Sequence, residues 1–512
     1  MGCFLGLDAS TQSLKALLVN TDNGSVSDVI SVHFGKELPE FNCPDGFLPN
    51  EDSKVRHADP LLWLAAMDLL FHKISLSRWP LTEIKGISGS GQQHGTVYLN
   101  KEIGALLQNL TPAKSLAEQL RPGLSRATAP IWMDASTTEE CDLLREKFGM
   151  RMRRDTGSDA AERFSGPQIM KFAREEAESW AGTGRVHLVS SFLASVLAGE
   201  SMPVDYGDGA GMNLLNLHTL QWDRDISQFI APGLLAKLPK CVPSCTVPGK
   251  LPAYFTKYGL PAGIPLVVWS GDNPSSLIGC GGATRGSAVI SLGTSDTFFG
   301  SMATFSEAPQ RYGHVFGNPA GGFMSLICFT NGSLAREKMR QKFSLSWEEF
   351  NQAAEVVEPG KRIMLPFFMP ESTPTVASPC VHADFDLDNA TPGESLRALL
   401  ESQALTMKIH AELKQPPSFI RLTGGASANN LLQQIIADVF QTEVCLGESP
   451  ESAALGAALR AANAVEKIPF ETLTKQFCKV SRRIEPVRER ASVYDHALNN
   501  FRKLLRNAHP DK

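Results

Sequence analysis

The sequence is poor in the residues that mark several protein classes. Its 512 residues include 10 cysteines, too few and too scattered for a disulfide framework. Cys241 and Cys245 are the one close pair, and no second pair or histidine cluster near them completes four zinc ligands. Reduced thiols in an intracellular, cytoplasmic setting are therefore expected. A basic excess is also missing. The 49 Lys and Arg stand against 54 Asp and Glu, a formal net charge of −5, which argues against a broadly basic nucleic-acid binder. No run approaches the roughly 18 uninterrupted apolar residues of a membrane span. The most apolar early run, residues 61–71, is short and contains Asp68. The opening Met1-Gly2-Cys3-Phe4-Leu5 lacks a basic n-region and a full apolar h-region, so no secretory signal is expected. What is present is a globular composition, 43% hydrophobic and 20% charged. The length suits two to four domains of about 100–200 residues.

The hydrophobic pattern predicts a mixed α/β organisation. Residues 4–8 read as a strand, residues 9–13 as a polar turn and residues 14–19 as a returning strand. A third strand is expected over 26–34, a long loop over 35–57, and a helix from Asp59-Pro60 through Leu70 with Asp at the cap and Pro in the first turn. Residues 84–88 form a further strand, followed by a turn over 89–95. The opening theme returns later. Residues 288–292 are a strand, Gly293-Thr294-Ser295-Asp296 a polar turn, and residues 297–299 a returning strand. A strand at 419–422 ends in Thr423-Gly424-Gly425-Ala426-Ser427, and a helix over 430–440 carries Leu431, Leu432, Ile435, Ile436 and Val439 on one face. A strand over 443–446 and a small-residue helix over 450–462 follow. Two sheet domains divided near residue 280, with a cleft between them, are the expected architecture. The charged tail from about residue 481 is helical at best.

Several chemistries are excluded. No G-x-x-x-x-G-K-[ST] occurs, because Gly35-Lys36, Gly249-Lys250 and Gly360-Lys361 are followed by Glu, Leu and Arg. Neither H-R-D nor D-F-G is present, which removes a protein kinase. Gly89-Ser90-Gly91-Gln92-Gln93-His94-Gly95 has the wrong spacing for a dinucleotide fingerprint and runs into a strand, not a helix.

The two polar hairpin turns remain. Turns rich in Ser, Thr and Gly are usually only turns. Such a turn can also present backbone N–H and hydroxyl donors to an anion, and the repetition in both halves strengthens that reading. Asp8, just before the first turn, supplies the carboxylate oxygen that Mg²⁺ prefers. In Gly271-Asp272-Asn273-Pro274 an apolar strand runs into a helix. Asp272 or Asn273 at the N-cap with Pro in the first turn explains the spelling, and a carboxylate at a strand end also suits a general base. His94 sits in a glycine-flanked polar turn, where an imidazole can bond a polyol hydroxyl. Paired Gly424 and Gly425 allow a close ligand approach or simply a tight strand-to-helix turn.

Five motifs occur in order. They are Leu7-Asp8 with Ser10-Thr11-Gln12-Ser13 and Lys15, Gly91-Gln92-Gln93-His94-Gly95, Gly271-Asp272-Asn273-Pro274, Ser291-Leu292-Gly293-Thr294-Ser295, and Thr423-Gly424-Gly425-Ala426-Ser427. Together, over about residues 3–465, they resemble the FGGY carbohydrate kinases of the actin-like ATPase superfamily. Trp132-Met133-Asp134, Glu162-Arg163-Phe164 and Gly207-Asp208-Gly209 resemble the eukaryotic-type xylulose kinases within it.

The resemblance implies two actin-like (ribonuclease H-like) ATPase domains. The N-terminal kinase domain covers 1–280, the C-terminal one 281–480, and a tail 481–512. It also implies ATP and Mg²⁺, a small sugar substrate, and phosphorylation of D-xylulose at O5. Another ketose or polyol such as ribulose or glycerol, or a non-catalytic sensor, stays open as an alternative. By resemblance, Asp8 lies near the metal and Ser10, Thr11, Gln12 and Ser13 form the first phosphate motif. Gly293, Thr294 and Ser295 form the second, and Gly424, Gly425, Ala426 and Asn429 the adenosine motif. Trp347 lies near the nucleotide. Gln93, His94, Asn273 and Arg163 contact the sugar, and Asp272 is the catalytic base. Taken alone, Arg163 reads as a solvated charge, and Ser346-Trp347-Glu348-Glu349 as a helix start with a capping box. Bacterial relatives carry an arginine two residues after the Trp-x-Asp aspartate. Asp134-Ala135-Ser136 lacks it, as the eukaryotic-type enzymes do.

Overall fold

The computed structural model describes residues 2–305, 312–413, 415–447 and 451–508. The chain forms two compact units, one of Met1–Ala283, Val315–Phe323 and Ser449–Cys478, the other of Thr284–His314, Met324–Glu448 and Lys479–Lys512. These are not consecutive blocks. The expected second block lends two segments to the first unit, and the expected tail belongs to the second.

In the first unit, strand Cys3–Ala9 pairs antiparallel with Ser13–Asn20 across the polar turn and parallel with Ile84–Gly91. Ser270–Gly271 adds parallel to the end of Ile84–Gly91. The first strand is buried along its whole length because both sheet faces are covered. Its alternate residues Cys3, Leu5, Leu7 and Ala9 join Trp63, Met67, Leu70 and Phe71 on one side. Phe4, with Leu17 and Val19, meets Ala454, Ala458 and Leu459 on the other. Each large side chain taken out of water this way contributes about 1.5–3 kcal/mol. A third cluster, with Tyr98, Phe172, Leu188 and Met212, forms around the antiparallel pair Thr96–Asn100 and Thr183–Leu188.

The helix Ser452–Glu466 covers the second face because it is made of small residues. A Cβ on Gly6 would lie 2.0 Å from the Ala454 carbonyl, and one on Gly456 would lie 1.8 Å from the Ser275 carbonyl in helix Asp272–Gly279. The backbones therefore touch, which only glycine permits. The expected start of this helix, Pro450, lies outside the described residues.

In the second unit the same theme recurs. Ala288–Leu292 pairs antiparallel with Asp296–Met302 and parallel with Ile420–Thr423, which pairs parallel with Val444–Leu446. Helix Asn430–Phe440 begins at the expected residue, capped by the Asn429 side chain on the Leu432 N–H at 3.0 Å.

Some local expectations need correction. The third strand is broken into Ser25–Val26 and Ile30–His33, and residues 34–41 contain two short helical turns instead of a plain loop. Helix Pro60–Ser75 runs past Leu70 because Phe71 and Ile74 continue its buried face. The turn expected at 89–95 is narrower, since Ile84–Gly91 stays in strand pairing to Gly91. The tail is not peripheral. Arg482–Ile484 joins the sheet, and helix Ala491–Ala508 buries Tyr494, Ala497, Leu498, Phe501 and Leu505 in the second core. No helix among the described residues is long and apolar enough to cross a membrane.

Replacing glycine by alanine in a helix normally stabilises by about 1 kcal/mol. For Gly456→Ala the sign reverses, because overpacking against Ser275 costs about 1–3 kcal/mol. Gly104→Ala, with no atom within 4 Å of its added methyl, serves as the control. Thermal unfolding should show a lowered midpoint for G456A and an unchanged or raised one for G104A.

Candidate functional site

Parallel pairing brings three strand ends of the first unit to one edge. Asp8 is level with Ser90, and Ser90 is level with Ser270. Each strand then delivers its own polar segment: the turn 10–13, the loop 92–95, and the start of helix Asp272–Gly279.

Asp8 is buried, and its Oδ1 accepts a hydrogen bond from the Ser90 hydroxyl at 2.7 Å. Burial pushes its carboxyl up to about 6, against the opposing pull of Ser90 and Lys15. The Lys15 ammonium is itself bound to Glu451 at 2.7 Å. The following turn is closed by the Ser10 N–H and hydroxyl on the Ser13 carbonyl at 2.9 and 3.0 Å. Thr11 accepts from the Trp132 indole N–H at 2.8 Å, and Gln12 is exposed.

Asp272 is not the helix cap. The cap position is Gly271, with no side-chain cap bond, and Asp272 is the first helical residue. Its Oδ1 accepts from the Asn273 backbone N–H at 2.8 Å. Burial, with a further push from the Asp8 carboxylate, raises Asp272 to about 7. A carboxyl poised there can exchange a proton near neutral pH. Asn273 also donates from Nδ2 to Gln93 Oε1 at 2.8 Å, which ties the loop to the helix start. The Gln93 Nε2 is buried and has no partner among the described residues.

His94 has a φ of 71°, a left-handed conformation uncommon for a non-glycine residue. Its ring stacks on Phe164 at a centroid distance of 4.1 Å, and its Nδ1 faces the Gly211 carbonyl at 2.7 Å. Burial, helped by the nearby Arg163 charge, lowers its pKa to about 3, so the ring is neutral. A neutral ring facing a carbonyl must carry its proton on Nδ1, which leaves Nε2 as an acceptor for a hydroxyl. Arg163 is half-buried on the loop that leads through Phe164 into helix Ser165–Glu175.

In the second unit, Thr294 and Ser295 are exposed at the turn, and the Gly293 carbonyl accepts from the Ser333 N–H at 3.0 Å. The next residue, Asp296, is buried and bound by both terminal nitrogens of Arg336 at 2.9 Å. Gln403 accepts from Arg336 at 2.9 Å and donates to the Asn331 carbonyl at 2.6 Å, which braces the turn from below. Gly424 has a φ of 87°, and a Cβ there would lie 2.5 Å from the Leu292 carbonyl. This glycine keeps the exposed Gly425 and half-buried Ala426 beside the Ala288–Leu292 strand end. Asn429 donates to Asn351 Oδ1 at 2.7 Å. That bond anchors helix Trp347–Glu355, whose Trp347 is 47% exposed. The Ser346–Glu349 capping box is present.

Sequence reasoning missed five supporting residues. Ser90, Phe164 and Gly211 hold Asp8 and His94, and the Asp296–Arg336 pair holds the second turn. Phe164 stood in the Glu162-Arg163-Phe164 motif, but nothing local signalled stacking. Asp134, also within a motif, proves to be an anchor. It accepts from the Arg56 N–H at 2.9 Å and from Gln168 Nε2 at 2.7 Å. Cys241 and Cys245 gather no metal-binding cluster among the described residues.

Profiles of the N-terminal and C-terminal domains of the FGGY family of carbohydrate kinases match residues 124–279 and 288–465. A xylulose kinase from Rattus norvegicus is 38% identical over 98% of this chain and 96% of its own length. The chain belongs to the FGGY family of carbohydrate kinases. It is accordingly a carbohydrate kinase. Xylulose kinase 2 of Arabidopsis thaliana is 37% identical over 90% of this chain and 87% of its own. The fold agrees with two solved structures. Xylulose kinase from Rhodospirillum rubrum has a TM-score of 0.84 at 21% identity, covering 99% of each chain. Plasmodium falciparum glycerol kinase with ADP has a TM-score of 0.78 at 16% identity, covering 98% of each. The α/β expectation of two actin-like domains agrees with these folds and with the mixed sheet of each unit.

Arg336→Met leaves Asp296 buried without its partner, which costs about 3–5 kcal/mol. Thermal unfolding of this FGGY kinase should show a clearly lower transition for R336M. An unchanged transition would mean that the pair does not brace the turn.

Proposed function

We propose that the chain is an ATP-dependent D-xylulose kinase and that Asp272 is its general base. The observation that carries the base assignment is the environment of Asp272. It is a half-buried carboxylate at a strand end, released from capping and set beside Asn273 and Gln93. The 37–38% identical relatives are xylulose kinases by name, which supports xylulose as the acceptor. In the reaction, the O5 hydroxyl gives its proton to Asp272 and its oxygen attacks the γ-phosphorus of ATP. The bond from that phosphorus to the β–γ bridging oxygen breaks, and ADP leaves. Gln93 Nε2 and the His94 Nε2 acceptor hold neighbouring hydroxyls, together with Asn273 and Arg163.

Thr294 and Ser295 donate to phosphate, as does the turn from Ser10 to Ser13, where Gln12 is exposed and Ser13 buried. Gly424, Gly425, Ala426, Asn429 and Trp347 receive the adenosine. Asp8 fits a magnesium site. It is a buried carboxylate whose one side-chain hydrogen bond among the described residues comes from Ser90, and Mg²⁺ commonly takes one or two protein carboxylates, its other ligands being water and phosphate. When bound, the ion neutralises charge on the transferred phosphate. The fold and composition suit a small sugar and a nucleotide as the partners and a cytoplasmic setting.

ADP release measured with D-xylulose, D-ribulose and glycerol tests the substrate. Turnover on glycerol but not xylulose would overturn it, and binding without turnover would overturn the ATP-dependent reaction. Asp272→Asn should lower kcat by at least about 100-fold with ADP affinity largely kept. Near-normal turnover in D272N would remove Asp272 as base.

The pH dependence has a defined sign. A base must be deprotonated to act, so kcat/KM should fall as pH drops through the Asp272 value of about 7. Asp8, at about 6, broadens that limb because the two carboxyls titrate as a pair. A flat kcat/KM between pH 5 and 8 would contradict the assignment.

A further inference from the structure

The first unit also holds a buried cation on a helix that carries none of the proposed site residues. Arg460, in helix Ser452–Glu466, is 1% exposed. Among the described residues no carboxylate lies within ion-pair distance of it. Its guanidinium donates from Nη1 to the Gly89 carbonyl at 3.1 Å and the Ser275 hydroxyl at 3.3 Å, and from Nη2 to the Val268 carbonyl at 2.5 Å. Its Nε is buried and has no partner among the described residues. Burial lowers its pKa, while the more distant Asp205 and Asp208 carboxylates oppose that shift. Stability alone is a poor reason to keep such a group, since a buried charge without a contacting counter-ion is costly.

The three acceptors have one property in common. Gly89 lies in the strand that leads into the Gln93–His94 loop. Val268 precedes the strand that ends at Gly271, and Ser275 sits one turn into the helix that begins with Asp272. The planar fork therefore spans the strand on one side and both flanks of Asp272 on the other. Gly456 makes this reach possible by letting the two helix backbones touch.

We infer that Arg460 is a positioning residue, which fixes Asp272 against the Gln93–His94 loop so that base and sugar hydroxyl meet in reactive geometry. The inference rests on the reading of Asp272 as base. A lysine would retain the charge, but a single ammonium cannot reproduce a fork across three acceptors.

The test is a double-mutant cycle of Arg460→Lys and Asp272→Asn, read as kcat per ADP-binding site, with KM for ATP measured alongside. R460K should lose about 10- to 100-fold in kcat, the scale of a 1 Å misplacement, with KM for ATP within about twofold of the parent. In the D272N background it should cause no further loss, because it acts through Asp272. Two results would overturn the inference: a kcat for R460K within twofold of the parent, or the full R460K loss added on top of D272N. If D272N itself turns over normally, the base assignment fails, and a kcat loss in R460K then has no Asp272 to act through. If R460K does not fold, Ser275→Ala decides. It removes one acceptor of the fork and should lower kcat about 3- to 10-fold at unchanged KM for ATP. An unchanged kcat in S275A would then overturn the inference.

Discussion

The site of the first unit depends on the register of two parallel strand pairs. Cys3–Ala9 runs level with Ile84–Gly91, which runs level with Ser270–Gly271. Parallel strands end on the same side, so segments up to about 260 residues apart in sequence emerge together. A slip of one residue in either pairing would turn alternate side chains to the opposite face. The first strand resists such a slip because it is packed on both faces, with Leu5 and Leu7 against one cluster and Phe4 against another.

Charge is managed differently in the two units. In the second, the buried Asp296 beside the turn is neutralised by a bidentate arginine and serves as a brace. In the first, the buried Asp8 and the half-buried Asp272 have no contacting arginine or lysine among the described residues, and both are raised toward neutral pH. Desolvation without a counter-ion destabilises the charged form of a carboxylate. That is unfavourable for folding and useful for a proton acceptor or for a site that takes a cation with its substrate. His94 follows the same logic with opposite sign, since burial keeps it neutral and its tautomer is set by the Gly211 carbonyl.

Much of this was legible in the sequence. Both strand–turn–strand hairpins, the strand over 288–292 and the helix over 430–440 appear where alternation, turn residues and capping predict them. These signals are local, and local physics decides them. The misread pieces are those where packing overrides local preference. Asp272 has the spelling of an N-cap yet is the first helical residue, because pairing of Ser270–Gly271 extends the strand to Gly271. The charged C-terminal segment has an amphipathic face that finds the second core. The small residues of 452–466 fit the first unit's sheet, although the chain order places them with the second.

The sequence by itself determined the chemical inventory of this kinase: the polar turns, the acids beside them and the order of motifs that marks the family. Those depend on residue identity and short spacing, which are written directly in the chain. The tertiary structure alone decided which acids are left without a counter-ion, which histidine nitrogen is an acceptor, and that Arg460 reaches one strand, the segment before another and the start of a helix. Each of those depends on burial and on neighbours distant in sequence, and burial is a property of the packed fold that no local pattern encodes.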